Sequence, residues 1–450
     1  MNTDNKQNKN KSQSLVQIMT EEEIKKIFIP KLKSSTKNFF SILHHLILFK
    51  KIPHSNFFFV LSKESDNMEI FLDDYGARNN QKFYYFGELV ASIRWISIAI
   101  SYSTHILSRI NSYKLFWKNE EKEKFISDLE NEIKINVFTL KIFAKEILSV
   151  SKEMDIFSPY EKEIQENEKP IKKILPADIY QKTISETKER IFDILMKFLE
   201  IGEKFEMFMK KRDGKIKPTE EILEDFRSSF HRLQALYDTY IKNTDIEEKI
   251  SFLTSLRGQI SVNLYLFEIG RALIHLDERH TKAIESLSSQ RPMLKNISCN
   301  KIQDEIKNFI LLYTEIFTQK GKELAENIFT ELNSNPDEYI LETVFLQIPY
   351  YRLEDFHIRP IMPITQIAQK YSINSYLYFN RTKYDLKSPL EMAIAIPDIR
   401  ETLSKENVDI IIQGPKKSVK EIVEFLKNAC GAFYPQESIK DKEIISKSSD

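Results

Sequence analysis

Apolar positions recur at spacings of three and four through most of the chain, the period of helices that bury one face. Over residues 120–154 this puts Ile126, Leu129, Ile133, Leu140 and Ile147 on one stripe. Over 178–212, Ile184, Ile191, Phe198 and Phe205 repeat every seven residues, a seam that calls for an antiparallel packing partner. Helical patterns also cover 21–51 (broken or kinked at Pro30), 68–75, 83–110, 218–243, 245–280 with Asp245 as its cap, and 302–333. Residues 57–61 form a short apolar run that fits either element type. The pattern predicts a mainly α N-terminal region, an elongated helical bundle or two bundles. Helical region I spans 15–154 and helical bundle II spans 178–334. Pro159, Pro170 and Pro176 mark a connector at 155–177, Asp213-Gly214 marks a turn, and a polar, disordered tail occupies 1–14.

Near residue 340 the period changes from helical to alternating. Val344, Leu346 and Ile348 alternate with polar or outward positions, as do Val408, Ile410 and Ile412, which predicts half-buried strands. Residues 376–379 and 383–386 flank a turn at Asn380, a hairpin. Ile364, Ile367, Ala368 and Tyr371 return to helical spacing, and Val419, Ile422, Val423 and Leu426 do so after Pro415. The order β-α-β-β-α-β-α, its middle helix short, predicts a C-terminal α+β domain at 340–432, an open sheet with helices on one face. A polar tail fills 433–450.

Composition narrows the function classes. The chain carries 66 basic and 66 acidic residues, and this zero net charge lacks the basic excess of a nucleic-acid binder. Only 9 glycines are present, where an average composition would supply about 30. That scarcity fits long helices and excludes several glycine-rich phosphate loops. Cys299 and Cys430 are too few for a disulfide framework or a cysteine metal site. The polar N-terminus has no secretory apolar core, and the apolar stretches at 39–49 and 86–107 are too short or too charged to span a bilayer. A cytoplasmic location follows as the expectation, with no membrane span and no nucleic-acid partner.

The chemistry concentrates at Asp355-Phe356-His357-Ile358-Arg359-Pro360, where the first strand meets the first helix of the small domain. Pro360 belongs in a first helical turn, because its missing amide has no partner there. His357 then lies just before the free N–H groups of that turn, with Arg359 beside it, an arrangement that favours a dianionic group. Lys387-Ser388 opens the second helix, Ser388 lying 31 residues beyond His357.

With this element order and spacing, residues 340–432 resemble the HPr phosphocarrier family of the sugar phosphotransferase system, whose site reads Gly-Ile/Leu-His-Ala-Arg-Pro. The matching residues are His357, Arg359 and Pro360. The resemblance implies an open-faced β-sandwich in which His357 is the phosphoryl acceptor and Arg359 contacts the phosphate. An enzyme I-like protein would be the donor and a IIA-like protein the acceptor, with Ser388 a regulatory target of an HPr kinase. Docking would use Met362, Gln366, Gln369, Leu390 and Ala393. No cofactor and no metal are implied. The chain departs from the family pattern at Asp355, Ile358, Arg381 and Glu391, and adds Pro363 and Pro389.

Two other readings stand beside this one. In the first, a degenerate HPr-like domain serves only for docking in a non-catalytic interaction, scaffold or regulatory protein. In the second, an enzyme centre lies in the helices near Arg78 and Glu88, and would show itself as a concave polar pocket. His44 and His45 read as packing residues, and Asp73 to Asn80 as an interhelical turn with surface ion pairs. His275 and His280 are five apart, which on an α-helix spreads the imidazoles around the cylinder and argues against a shared metal.

Overall fold

The computed structural model describes residues 18–157, 187–212, 217–287, 291, 294, 299–332, 341–371, 374–380 and 382–434, with backbone alone at 187–189, 211–212, 287, 299 and 358–361. The 1–14 tail, the three connector prolines, Ile184, Asp213-Gly214, Arg381 and the tail beyond 434 lie outside the described residues.

The chain enters α1 (Glu21–Glu23) under a reciprocal cap, in which Thr20 Oγ1 accepts from the Glu23 amide and Glu23 Oε2 accepts from the Thr20 amide. A π-helical turn, Ile24–Phe28, leads into α2 (Ile29–Ser35), so the irregularity falls beside Pro30, which has no amide to donate. After Thr36 come α3 (Lys37–Leu48) and α4 (Ser55–Asp74), a single helix that takes in both the 57–61 run and the 68–75 pattern. The long helices are α5 (Tyr84–Arg109), α6 (Asn119–Glu153), α7 (Thr187–Arg212), α8 (Glu220–Tyr240), α10 (Ser251–His275) and α13 (Leu312–Glu331). Shorter pieces are α9 (Asp245–Lys249), α11 (Lys282–Leu287) and α12 (Cys299–Glu305), and two further π turns occupy Leu276–Thr281 and Ile306–Leu311.

Three expectations shift here. The α6 stripe is centred one residue earlier, on buried Phe125, with Leu129, Ile133, Leu140 and Ile147, while Ile126 is only half-buried. The cap near 245 is Thr244, whose Oγ1 accepts from the Glu247 amide; Asp245 is the first helical residue and pairs with Lys249 at 2.9 Å. The 245–280 pattern is three elements, because Ile250 is extended and the winding changes after His275.

Ile191, Phe198 and Phe205 are all buried, and α7 packs on both α8 and α13. At Gly321 of α13 the Phe198 ring occupies the space a Cβ would need, and at Gly258 of α10 the Tyr113 carbonyl does the same. Buried side chains from Phe28 to Leu332 form one contiguous core, which the two predicted helical units share.

A second core, Leu346 to Ala432, belongs to the small domain. Its four strands are β1 (Leu341–Ile348), β2 (Tyr376–Phe379), β3 (Thr382–Asp385) and β4 (Val408–Pro415), antiparallel in the order β1-β4-β2-β3. Leu346, Ile348, Leu377, Ile410 and Ile412 point to the side covered by α14 (Ile358–Gln369), α15 (Pro389–Leu403) and α16 (Lys416–Cys430). The second of these helices is not short, since it runs for 15 residues between Ser388 and β4.

Candidate functional site

His357 is the N-cap of α14, with extended backbone (φ −139°, ψ 176°) and an exposed ring that makes no hydrogen bond among the described residues. The amides of Ile358 and Arg359 stand at the first two helical positions, where an N–H has no carbonyl within the helix to pair with. The Arg359 side chain lies outside the description. The loop that carries His357 is held from below. Phe356 is 1% exposed in the small core, and Arg400 Nη1 of α15 donates to the carbonyls of Phe356 (2.7 Å) and Leu353 (3.3 Å). Arg352 pairs with Asp355 at 3.0 Å, which offsets the negative charge at that departure from the family glycine. Behind the loop, burial pushes the Cys430 thiol up to about 11, so it stays protonated and inert at neutral pH.

Ser388 caps α15, its Oγ accepting from the Glu391 amide at 3.3 Å. Glu391 is committed to the same turn, accepting from the Asp385 amide at 2.6 Å. Gln369 Nε2 donates to the Lys387 carbonyl at 2.9 Å, which ties the end of α14 to the start of α15. Of the expected docking residues, Met362, Gln366, Gln369 and Leu390 are exposed and Ala393 is half-buried. Ile394, 55% exposed next to them in sequence, adds an apolar position that periodicity alone did not single out.

The other face of the sheet meets the helical region. Glu203 of α7, 8% exposed, accepts from Thr343 Oγ1 of β1 (2.7 Å) and from Gln413 Nε2 of β4 (3.0 Å). Gln413 in turn accepts from Tyr378 Oη of β2 at 2.8 Å. Burial raises the Glu203 carboxyl above its ordinary range, against the pull of these two bonds, and pushes the Tyr378 hydroxyl up to about 12. A polar joint thus leaves the helix side of the domain, with His357, facing outward.

In the helical region Asp73 to Asn80 forms a turn, with Gly76 at φ +70° and Arg78 gripping Asp73 through two bonds of 2.8 and 2.9 Å. The cavity beside it, lined by Arg78, Tyr84, Glu88 and His280, measures about 20 Å³, room for one water and not for an organic substrate. The surrounding side chains are densely paired. His280 Nδ1 lies 2.9 Å from Glu88, His275 Nδ1 lies 2.8 Å from Glu220, and the His275 ring stacks on Trp95 at 3.9 Å. The two imidazoles are 5.5 Å apart, because the π turn winds the chain so that residues five apart approach one face. The expected divergence of His275 and His280 holds for an α-helix and fails for this turn. No group of three His, Cys, Asp or Glu among the described residues could hold a metal.

No helix among the described residues is long and apolar enough to cross a membrane. No protein-family model matches the chain, and comparison with curated proteins and with solved structures finds no match.

Proposed function

We propose that the C-terminal domain is an HPr-like phosphocarrier module of the phosphoenolpyruvate-dependent sugar phosphotransferase system. In this reading a phosphorylated enzyme I-like donor transfers its phosphoryl group to a ring nitrogen of His357, and a IIA-like acceptor takes it away. The observation that carries the reading is the exposed imidazole at the N-cap of α14, without a hydrogen bond among the described residues, on the helix side of a β-α-β-β-α-β-α domain. A phosphoryl group there would meet the unpaired amides of Ile358 and Arg359 and the positive end of the helix dipole. That attraction is about 0.3–1 kcal/mol at an exposed site, modest enough for the group to leave again. The domain's location in the cytoplasm belongs to the same proposal.

Ser388 as an HPr kinase target is part of the reading with a specific cost, since modification would have to replace the bond its hydroxyl makes to the Glu391 amide. The exposed apolar side chains Leu390 and Ile394 on α15, 73% and 55% accessible, favour a second reading in which the domain docks a partner without transferring phosphate. Incubating the full chain with phosphoenolpyruvate and enzyme I separates the two. Acid-labile phosphate that disappears in His357→Ala supports the carrier, and no labelling of the intact protein leaves only the docking role.

A further inference from the structure

We propose that the corner between α3 and α4 is a peripheral docking site for a membrane surface rich in anionic lipid. The corner lies outside the C-terminal domain and is independent of the phosphocarrier reading.

The sequence sets the charge. From Ile24 to Lys63 the chain carries eight lysines and three histidines and no Asp, Glu or Arg. The composition of the whole chain would place about six acidic residues in a stretch of that length. A chain of zero net charge thus gathers a block of one sign in its first helices, and the fold turns the later part of that block into a corner. Helix α3 ends at Leu48, Phe49 is extended, and α4 starts at Ser55, so Lys50, Lys51 and Ile52 occupy the connection. Both lysines are exposed and belong to no ion pair among the described residues. The first acids beyond the block are engaged elsewhere. Asp66 and Glu69 of α4 each pair with Arg94 of α5 at 2.8 Å, and Glu64 is half-buried.

Apolar side chains stand out among these charges. Leu48 is 63% accessible and Ile52 40%, and Phe59, early in α4, is 52% accessible with Lys63 Nζ 6.0 Å from its ring centroid. Helix α6 extends the patch. Its Lys141 Nζ donates to the Phe49 carbonyl at 2.7 Å, which fixes α6 against the corner, and Phe138 one turn earlier is 63% accessible. Lys134, Phe138, Lys141 and Lys145 follow at helical spacing and share one face of α6, with Lys134 and Lys145 exposed. Glu130, exposed one turn before Lys134, bounds the patch.

An anionic bilayer answers both halves of this surface. The ammonium groups stay hydrated against headgroup phosphates, while Leu48, Ile52 and Phe138 leave water for the boundary with the acyl chains. A protein partner would have to match the lysines with acids and also close over the scattered apolar side chains, whereas lipid does both without a fitted shape. No helix among the described residues is long and apolar enough to cross the bilayer, so this attachment is to its surface. Each lysine near an anionic leaflet strengthens binding about fivefold, and each apolar side chain taken out of water adds a comparable factor or more.

Sedimentation of the full chain with lipid vesicles at about 0.1 M salt tests the site. Vesicles of phosphatidylcholine with about one third phosphatidylglycerol should bind the protein at least tenfold more tightly than vesicles of phosphatidylcholine alone. Lys50→Gln combined with Lys51→Gln should weaken that binding about 25-fold. Leu48→Gln combined with Ile52→Gln leaves the charge unchanged and should weaken it about tenfold or more. All four positions are exposed, so these variants keep the core intact. The same neutralisation at exposed Lys124 and Lys405 should change binding less than threefold, since both lie away from the corner. Failure to bind the anionic vesicles overturns the proposal, as does binding that the corner variants leave unchanged or that the control pair weakens equally. Binding of polyglutamate through Lys50 and Lys51 with no binding to vesicles also overturns it, and assigns the corner to an acidic protein.

Discussion

Arg400→Met removes the clamp beneath His357 while keeping the length and apolar stem of the side chain. In the intact protein one guanidinium nitrogen serves two carbonyls, Phe356 at 2.7 Å and Leu353 at 3.3 Å, and the first belongs to a residue buried in the small core. A hydrogen bond to a charged donor contributes about 1.5–3 kcal/mol, and a buried carbonyl left without one bears its desolvation. The longer bond adds little, so opening of the 353–357 loop should become easier by about 2–3 kcal/mol, close to a hundredfold loss of protection. Exchange measured on peptides covering 350–360 reads this directly. Arg400→Lys, which offers an ammonium but no planar fork, should lose a part of it. If His357 acts as a phosphoryl acceptor, its labelling rate should fall in Arg400→Met, while the label formed keeps its acid lability. Unchanged protection in Arg400→Met would refute the view that α15 positions the loop.

Three further outcomes follow from individual contacts. Gly258→Ala puts a methyl against the Tyr113 carbonyl, which cannot rotate away as a side chain could, so the helical region should lose about 1–3 kcal/mol in denaturant unfolding. Loss of water around half-buried Glu305, with Glu132 nearby, pushes its carboxyl up to about 8 from the usual 4.5, against the single bond it accepts from Asn136 at 2.6 Å. Because the folded value is raised, the stability linked to this proton is full below the unfolded value and is lost as pH rises toward 8. Glu305→Gln should therefore stabilise the protein at pH 8, on the order of 4 kcal/mol, and make little difference at acid pH, as denaturant midpoints at the two pH values would report. Ser388→Ala removes the α15 cap and should cost about 0.5–2 kcal/mol, seen as faster exchange at residues 389–392 with β4 unaffected.

Features that depend on near neighbours are legible in the order of the residues. Ile191, Phe198 and Phe205 had to share a helix face whatever they packed on, and the alternation at Val408, Ile410 and Ile412 had to turn one side of a strand inward. The change of period near residue 340 separates the two cores, and a proline three places after His357 is enough to make that histidine the start of a helix. Tertiary structure decided the partners. Glu203 meets Gln413 across 210 positions, Glu88 meets His280 across 192, and Arg400 reaches Phe356 from 44 residues downstream. Periodicity carries no information about such pairs, because a polar residue on a helix face is equally compatible with water and with a buried donor. The winding of 276–281 belongs to the same class. Its residues allow an ordinary α-helix, in which His275 and His280 diverge, and the contacts of α5, α8 and α12 with their carboxylate and amide side chains accompany the wider turn that brings the two rings together.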